Sequence, residues 1–221
     1  MLMDSNQSVQ ILDLGNKSFQ QTWELQKRLH GERVAGKIED TLILVEHEPV
    51  YTIGRNADRA NLLPDHPKDV NIYQVERGGD ITYHGPGQLV GYPIMDLHNY
   101  RLSVGWYMHS LEEVLIRTLA DFGIVAERRP KYIGAWVNDE KVAALGVRLS
   151  RWVSMHGFAL NVDTDLKYFD SIVPCGMAQF GVTTMSRLLK SEISIDEVKP
   201  ILINHFQGLF EIITLEISNT F

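Results

Sequence analysis

Three segments of the chain carry apolar residues at the three- and four-residue spacing that places them on one face of a helix. The first runs over residues 18–37, with Ser18 at its start. The second is capped by Ser103 and ended by Gly123. The third begins at Ser194, where Glu197 completes a capping box ahead of an apolar run. We therefore predict three amphipathic helices packed against a core.

Short apolar runs bounded by turn residues predict β-strands. They cover residues 41–47, 51–55, 72–75, 89–94, 133–137, 141–147 and 152–161. Residues 138–140 form a short polar turn, which makes the flanking runs a hairpin. Hairpins mixed with a few helices, without regular strand-helix alternation, predict an α+β fold with a mixed, largely antiparallel sheet and flanking helices. Residues 56–68 read as a long surface loop.

Length and composition narrow the class of protein. A chain of 221 residues without repeat or linker is expected to form a single domain over residues 1–221. No segment has the unbroken apolar length of a membrane span, and the polar start lacks the features of a secretory signal. A single cysteine excludes an internal disulfide and a cysteine-rich zinc site. We therefore expect a cytoplasmic protein, and the net charge of -7 argues against general nucleic-acid binding.

Residues 77–88 are the most unusual stretch, with four glycines in twelve positions. Glycine lets the backbone approach a ligand closely, and Arg77, Thr82, Tyr83 and His84 offer side chains that orient one. The spacing matches neither the dinucleotide fingerprint nor the phosphate-binding P-loop. The alternative is a tight β-turn, which would favour Asn, Asp or Ser at these positions. We interpret the stretch as a binding loop.

The lone cysteine, Cys175, stands between a proline and a glycine. A free cysteine is more often a small buried hydrophobe than a nucleophile, and it reacts only as the thiolate. Lys141, His84 and His156 are the candidate groups that could promote ionisation. A cation about 4 Å from the sulfur, at an effective dielectric of about 20, supplies roughly 4 kcal/mol, close to three pKa units. Lysine or imidazolium would suffice, so these residues alone leave the choice open.

Four segments, residues 77–88, 141–147, 156–161 and 174–176, occur in that order along the chain. Together they closely resemble the signature of the bacterial octanoyltransferases, the lipoyl(octanoyl) transferases that begin protein lipoylation. The resemblance covers roughly residues 40–190, and four ordered motifs are far more specific than one. It implies a fold similar to the catalytic domains of biotin and lipoate protein ligases.

The resemblance also implies a reaction and its partners. Such enzymes move an octanoyl group from the phosphopantetheine thiol of acyl carrier protein to the ε-amine of a lysine on a lipoyl domain. The acceptors would be lipoyl domains of 2-oxoacid dehydrogenases and the glycine cleavage H protein. No cofactor or metal is implied, because thioester exchange needs no ATP. We expect a monomer without nucleic-acid or membrane partners.

By the same resemblance, Cys175 would hold the octanoyl thioester, and Lys141 would lower the pKa of its thiol and move protons. The acyl site would be lined by fourteen residues. They are Arg77, Gly78, Gly79, Asp80, Ile81, Thr82, Tyr83, His84, Ala144, Leu145, Gly146, Gly157, Phe158 and Ala159. Acyl carrier proteins are strongly acidic, so Arg128, Arg129 and Lys131 either attract the donor or are ordinary solvated charges.

Three other functions compete with this interpretation. An ATP-dependent lipoate or biotin protein ligase shares the implied fold but has no use for Cys175. A catalytically silent module that binds acyl carrier or lipoyl domain would tolerate loss of the thiol. A cysteine hydrolase would use His84 or His156 as its base and release free octanoate.

Overall fold

The computed structural model describes residues 7–173 and 180–218, with side chains up to residue 212. The strands in these ranges are β1 (Gln7–Asn16), β2 (Asp40–Glu46), β3 (Val50–Ile53), β4 (Asn71–Gln74), β5 (Ile81–His84), β6 (Gln88–Ile94), β7 (Glu127–Arg129), β8 (Tyr132–Val137), β9 (Glu140–Ser150), β10 (Val153–Asn161), β11 (Gly181–Val182) and β12 (Ile212–Ser218). The helices are α1 (Phe19–Val34), α2 (Val104–Asp121), α3 (Met185–Leu189) and α4 (Ile195–Phe210).

The large sheet has the order β12-β1-β2-β6-β10-β9-β8-β7, with β11 added to β9. Its first three strands are parallel to one another, and the pairs from β2 to β7 are antiparallel. A small second sheet has the order β4-β3-β5. The predicted α+β fold, with a mixed and largely antiparallel sheet, is confirmed. Strands β6 and β10 are buried along their whole length, as expected for a sheet covered on both faces.

Helices cover the two faces of the large sheet. Residues Leu25 and Leu29 of α1 pack on one face, in a core with Ile43 and Tyr92. On the other face, α2 and α4 join a larger core that includes Phe158. Each face thus buries the apolar stripe of at least one helix, which is the main source of helix stability in a folded domain.

The three predicted helices begin directly after Ser18, Ser103 and Ser194, and the last two of these serines were predicted as caps. The hydroxyl oxygens of Ser18, Ser103 and Ser194 each accept a backbone N–H from the first turn that follows. Glu197 also accepts the backbone N–H of Ser194 at 2.8 Å, which completes the predicted capping box. None of the helices in the described ranges combines the length and apolar character of a membrane span.

The structure corrects the prediction at the glycine-rich stretch and adds elements that were not predicted, which are strands β1, β7, β11 and β12 and helix α3. The glycine-rich stretch is only partly a loop, because Ile81–His84 forms β5 and pairs antiparallel with β3. Strand β1 was not predicted, since its residues are only partly apolar, and it is held by distant partners β2 and β12. The loop over residues 56–68 is irregular as predicted, apart from a 3-10 turn at Arg59–Asn61 and a bridge between Leu62 and Ile172.

Candidate active site

A cavity of about 420 Å³ lies where the segment 77–80, strands β9 and β10 and the first turns of α1 and α2 meet. Its walls are mainly apolar. Thirteen of the fourteen predicted acyl-site residues line it, as does Lys141. The thirteen are Arg77, Gly78, Gly79, Asp80, Ile81, Thr82, His84, Ala144, Leu145, Gly146, Gly157, Phe158 and Ala159. Motif segments far apart in the sequence therefore share one cavity.

Tyr83 is the predicted residue that does not line the cavity. Its ring stacks on Tyr168 at a centroid distance of 4.6 Å and packs against Tyr51 and Phe169. Tyr83 is fully buried in this small aromatic cluster. Tyr83 therefore serves the motif by packing that supports β5, and its side chain does not line the cavity.

Glycines allow the segment 77–79 to lie directly against β9 and β3. The Gly78 N–H donates to the carbonyl of Val147 at 2.9 Å. A Cβ on Gly146 would lie 2.9 Å from the carbonyl oxygen of Gly78, and one on Gly54 would lie 2.2 Å from that of Gly79. Such distances are too short for real Cβ atoms, so any side chain here would push the segment away from the strands.

Arg77 secures the same segment from inside the cavity wall. The side chain is buried, and its Nη2 donates to the carbonyl oxygen of Thr52 at 2.7 Å and to the hydroxyl oxygen of Thr52 at 2.9 Å. Its Nη1 donates to the carbonyl of Gly78 at 3.0 Å. A planar guanidinium can serve these acceptors together, and a lysine cannot.

His84 is held neutral by burial, which lowers its pKa to about 3. Its Nδ1 lies 2.7 Å from Oε1 of Gln88, whose amide nitrogen donates to Asn161. This network assigns the proton to Nδ1 and leaves the Nε2 lone pair facing the Thr52 hydroxyl at 3.5 Å. A neutral imidazole of this kind supplies no cation to a thiolate.

His156 is a second buried and neutral imidazole in the cavity wall. Burial lowers its pKa, although Nε2 lies 3.6 Å from Oε2 of Glu76. Contact with His156 in turn lowers the pKa of the Glu76 carboxyl to about 2. The backbone of His156 is left-handed, with a φ of 60°, and its N–H donates to Gln26 of α1. Neither histidine is therefore a charged neighbour for a thiol near neutral pH.

Lys141 lies on β9 beside the short strand β11. Its Nζ is 4.8 Å from the centre of the Trp136 ring, and its carbonyl accepts the N–H of Thr183 at 3.0 Å. Strand β11 pairs with β9 so that Val182 lies opposite Lys141. Cys175 is outside the described residues, and its pairing with Lys141 stays a prediction.

The basic residues 128–131 are not a uniform cationic patch. Arg128 forms ion pairs with Glu112 and Glu113, and Arg129 pairs with Asp139 at 2.7 Å. Lys131 lines the cavity. Two of the three charges are thus matched by acidic neighbours, which weakens the hypothesis that this group attracts the acidic acyl carrier protein.

Sequence reasoning missed several residues that line the cavity. They include Phe19, Thr52, Val104, Met108 and Ile133. Phe19 and Met108 were missed because their helical spacing in the sequence is also that of ordinary core residues. Within residues 7–173 and 180–218, no group of three His, Asp or Glu side chains is placed to hold a metal ion.

Comparison with known proteins decides the family. The model of the lipoyl protein ligase A/B catalytic domain matches residues 18–207. An octanoyltransferase from Gloeobacter violaceus is 46% identical over 90% of this chain and 89% of its own length. One from Cytophaga hutchinsonii is 42% identical over 100% of this chain and 98% of its own. This chain belongs to the octanoyltransferase family.

Solved structures show the same fold for this octanoyltransferase family member. A putative lipoate protein ligase from T. acidophilum matches with a TM-score of 0.75 at 15% identity, over 96% of this chain and 88% of that one. The biotin protein ligase from Aquifex aeolicus matches with a TM-score of 0.55 at 11% identity, over 94% and 70%. At these identities the likeness concerns the fold alone, and it agrees with the fold that the four motifs implied.

Proposed function

We propose that this protein transfers an octanoyl group from octanoyl-acyl carrier protein, through a thioester on Cys175, to a lysine ε-amine on lipoyl domains. The observation that carries the proposal is the apolar cavity lined by three of the four motif segments and reached by Lys141. The octanoyltransferase names of relatives at 46% and 42% identity support the same activity.

The cavity suits a medium-length acyl chain. Its volume of about 420 Å³ falls within the range of small-molecule sites. Burial of about seven methylene or methyl groups contributes at most roughly 5 to 6 kcal/mol, at about 0.8 kcal/mol each. This separates a long chain from a short one by orders of magnitude, whereas one methylene changes binding by only about 1 to 3 kcal/mol.

In the first step the Cys175 thiolate attacks the carbonyl carbon of the donor thioester. A C–S bond to Cys175 forms, the bond to the carrier sulfur breaks, and the carrier thiolate leaves and takes up a proton. The ammonium of Lys141 would stabilise the attacking thiolate, since both candidate histidines are buried and neutral. The Gly78 N–H is already bonded to Val147, so the Gly79 N–H and the Thr82 hydroxyl are the candidate oxyanion donors in the cavity wall of this segment.

In the second step the acceptor amine attacks the acyl carbon on Cys175. The amide C–N bond forms, the C–S bond breaks, and the amine loses a proton. Once acylation has removed the thiolate charge, Lys141 can release its own proton and act as the base toward this amine. The two transfers through one covalent intermediate predict ping-pong kinetics.

The same proposal covers the setting of the reaction. The donor would be acyl carrier protein, and the acceptors would be lipoyl domains of 2-oxoacid dehydrogenases and the glycine cleavage H protein. A structural relative from Thermoplasma acidophilum is described as a bi-partite lipoate protein ligase and its E2 lipoyl domain, which supports an acceptor of that kind. We place the reaction in the cytoplasm and the enzyme as a monomer, with a single cysteine in keeping with a reducing compartment.

The test is incubation with octanoyl-acyl carrier protein in the absence of ATP, followed by the mass of the intact protein. We expect an increment of one octanoyl group, and none on Cys175→Ser. Octanoylation of an added lipoyl domain only with octanoate and ATP, without an increment on the enzyme, would instead indicate a ligase. Undiminished partner binding without any acylation would indicate a silent module, and free octanoate as the main product would indicate a hydrolase.

A further inference from the structure

The side chain of Lys141 passes close to the backbone of β8 at Gly134. A Cβ at Gly134 would lie 3.3 Å from both Cδ and Cε of Lys141. It would also lie 2.5 Å from the carbonyl oxygen of Ala143. Gly134 has a φ of 141°, which L side chains rarely adopt. A side chain at position 134 would therefore displace the lysine stem, the strand or both.

The backbone of Gly134 is itself fixed by α2. Its N–H donates to Oε1 of Glu112 at 3.0 Å, and Glu112 is a buried carboxylate. The β8 to β9 register shifts just after this point, between Ala135 and Trp136. Because Gly134 is tied to α2, the strand has little freedom to move away from the lysine.

Trp136 holds the other end of the lysine side chain. The indole ring is fully buried, and its Nε1 donates to the carbonyl of Tyr132 at 2.9 Å. Phe180 packs against the ring edge-on, at a centroid distance of 5.3 Å. The Lys141 Nζ lies 4.8 Å from the ring centre, where the aromatic face attracts a cation. The ring is thus a fixed surface for the ammonium.

We propose that Gly134 and Trp136 are positioning residues that direct the ammonium of Lys141 into the cavity. Neither residue lines the cavity, whereas Lys141 does, so their effect on the reaction passes through the lysine. Gly134 leaves the path of the stem open, and Trp136 fixes where the charged end lies. This inference rests on the proposed function, in which Lys141 acts on the thiol of Cys175.

The test is the pH dependence of alkylation of Cys175, which is the only thiol in the chain. In Gly134→Ala we expect the apparent pKa of the thiol to rise by about one unit, which lowers the alkylation rate about tenfold below that pKa. The kcat for octanoyl transfer falls with it, while the KM for the donor changes little. Gly36→Ala is the control, because Gly36 also has a positive φ, of 66°, and an added Cβ would meet nothing within 4 Å.

A double variant separates positioning from general damage. In a Lys141→Ala background, Gly134→Ala should cause no further change in the alkylation profile. A further shift there, or an unchanged profile in folded Gly134→Ala, would overturn the inference. Should Gly134→Ala not fold, Trp136→Leu, which removes the aromatic face, should shift the profile more than Trp136→Phe, which keeps one. Equal profiles for Trp136→Leu and the wild type would likewise overturn it.

Failure of the proposed function has a different signature. The wild type would then take no octanoyl group from its carrier without ATP, or Lys141→Ala alone would leave the alkylation profile unchanged. Normal acylation by the wild type, loss in Lys141→Ala and a normal profile in Gly134→Ala would contradict only the positioning inference.

Discussion

Nη2 of Arg77 donates to both the carbonyl and the hydroxyl oxygen of Thr52, at 2.7 and 2.9 Å. The pair joins the glycine-rich segment to β3, a strand of the small sheet. Because both residues are buried, these contacts are shielded from solvent and each contributes more than a surface pair would.

Arg77→Lys should loosen the segment while keeping its charge. Hydrogen bonds to charged groups contribute about 1.5 to 3 kcal/mol, and the lysine cannot keep all three acceptors. We expect a loss of about 2 kcal/mol in the free energy of unfolding, measured with urea, and a lower rate of octanoyl transfer. Thr52→Ser keeps both acceptor oxygens and should cost less. Equal losses in the two variants would contradict this role of Arg77.

Gly54→Ala should displace the segment from the other side. An added methyl would meet the Gly79 carbonyl at 2.2 Å, so the two backbones must separate. We expect a loss of roughly 1 to 3 kcal/mol in urea unfolding and weaker binding of the octanoyl donor. Gly31→Ala in α1 is the matched control, because its methyl meets nothing and should stabilise the helix by about 0.5 to 1 kcal/mol.

The stability of the fold should depend on pH through His84. Burial holds its pKa at about 3, against 6.5 when it is exposed. The unfolded chain therefore binds more protons between these values, so the stabilisation is complete above about pH 6.5 and is lost as the pH falls toward 3. The free energy of unfolding, measured with urea at several pH values, should rise with pH between about 3 and 6.5. In His84→Asn this rise should be smaller by about 1.4 kcal/mol per pH unit. The same slope in both proteins would refute this.

Ala144→Leu should shorten the acyl chain that the cavity accepts. Ala144 lines the cavity and lies opposite Ala159 in the β9 to β10 register. Each methylene that the leucine displaces lowers binding about fourfold, so kcat/KM for octanoyl donor should fall tenfold or more. The butanoyl donor should lose much less. Ala120→Leu, on the exposed side of α2, should change neither value.

Lys141→Ala should slow acylation of Cys175 and transfer to the acceptor together. Loss of the cation raises the pKa of the thiol, and loss of the amine removes the proposed base of the second step. Single-turnover measurements with octanoyl carrier, then with lipoyl domain added to the isolated acyl-enzyme, resolve the two steps. Unchanged thiolate reactivity in this variant would refute the assigned role.

Local signals explain why the helices were predictable. Ser18, Ser103 and Ser194 cap their helices through contacts within three residues along the chain, so the sequence alone contains the interaction. Strand β1 differs, because its partners β2 and β12 lie elsewhere in the sequence. Its residues alternate too weakly to predict a strand without those partners.

Most residues of the site could be predicted from the sequence, but the charge states of its histidines could not. Close backbone contacts explain the glycines of the motifs, because a side chain at a position such as Gly146 would break the contact. His84 and His156 are neutral because elements distant in the sequence bury them, including α1 with Gln26. No local sequence pattern could have predicted this charge state. Tyr83 shows the converse, a motif residue that serves the core.

The pairing of β11 with β9 limits how far the thiol can travel. Five residues lie between Cys175 and Gly181, so six peptide units join them, and Gly181 is registered opposite Glu140, the neighbour of Lys141. A chain of that length spans at most about 20 Å when fully extended. In every conformation that keeps the β11 pairing, this limit holds Cys175 within about 20 Å of Gly181, next to the strand that carries Lys141.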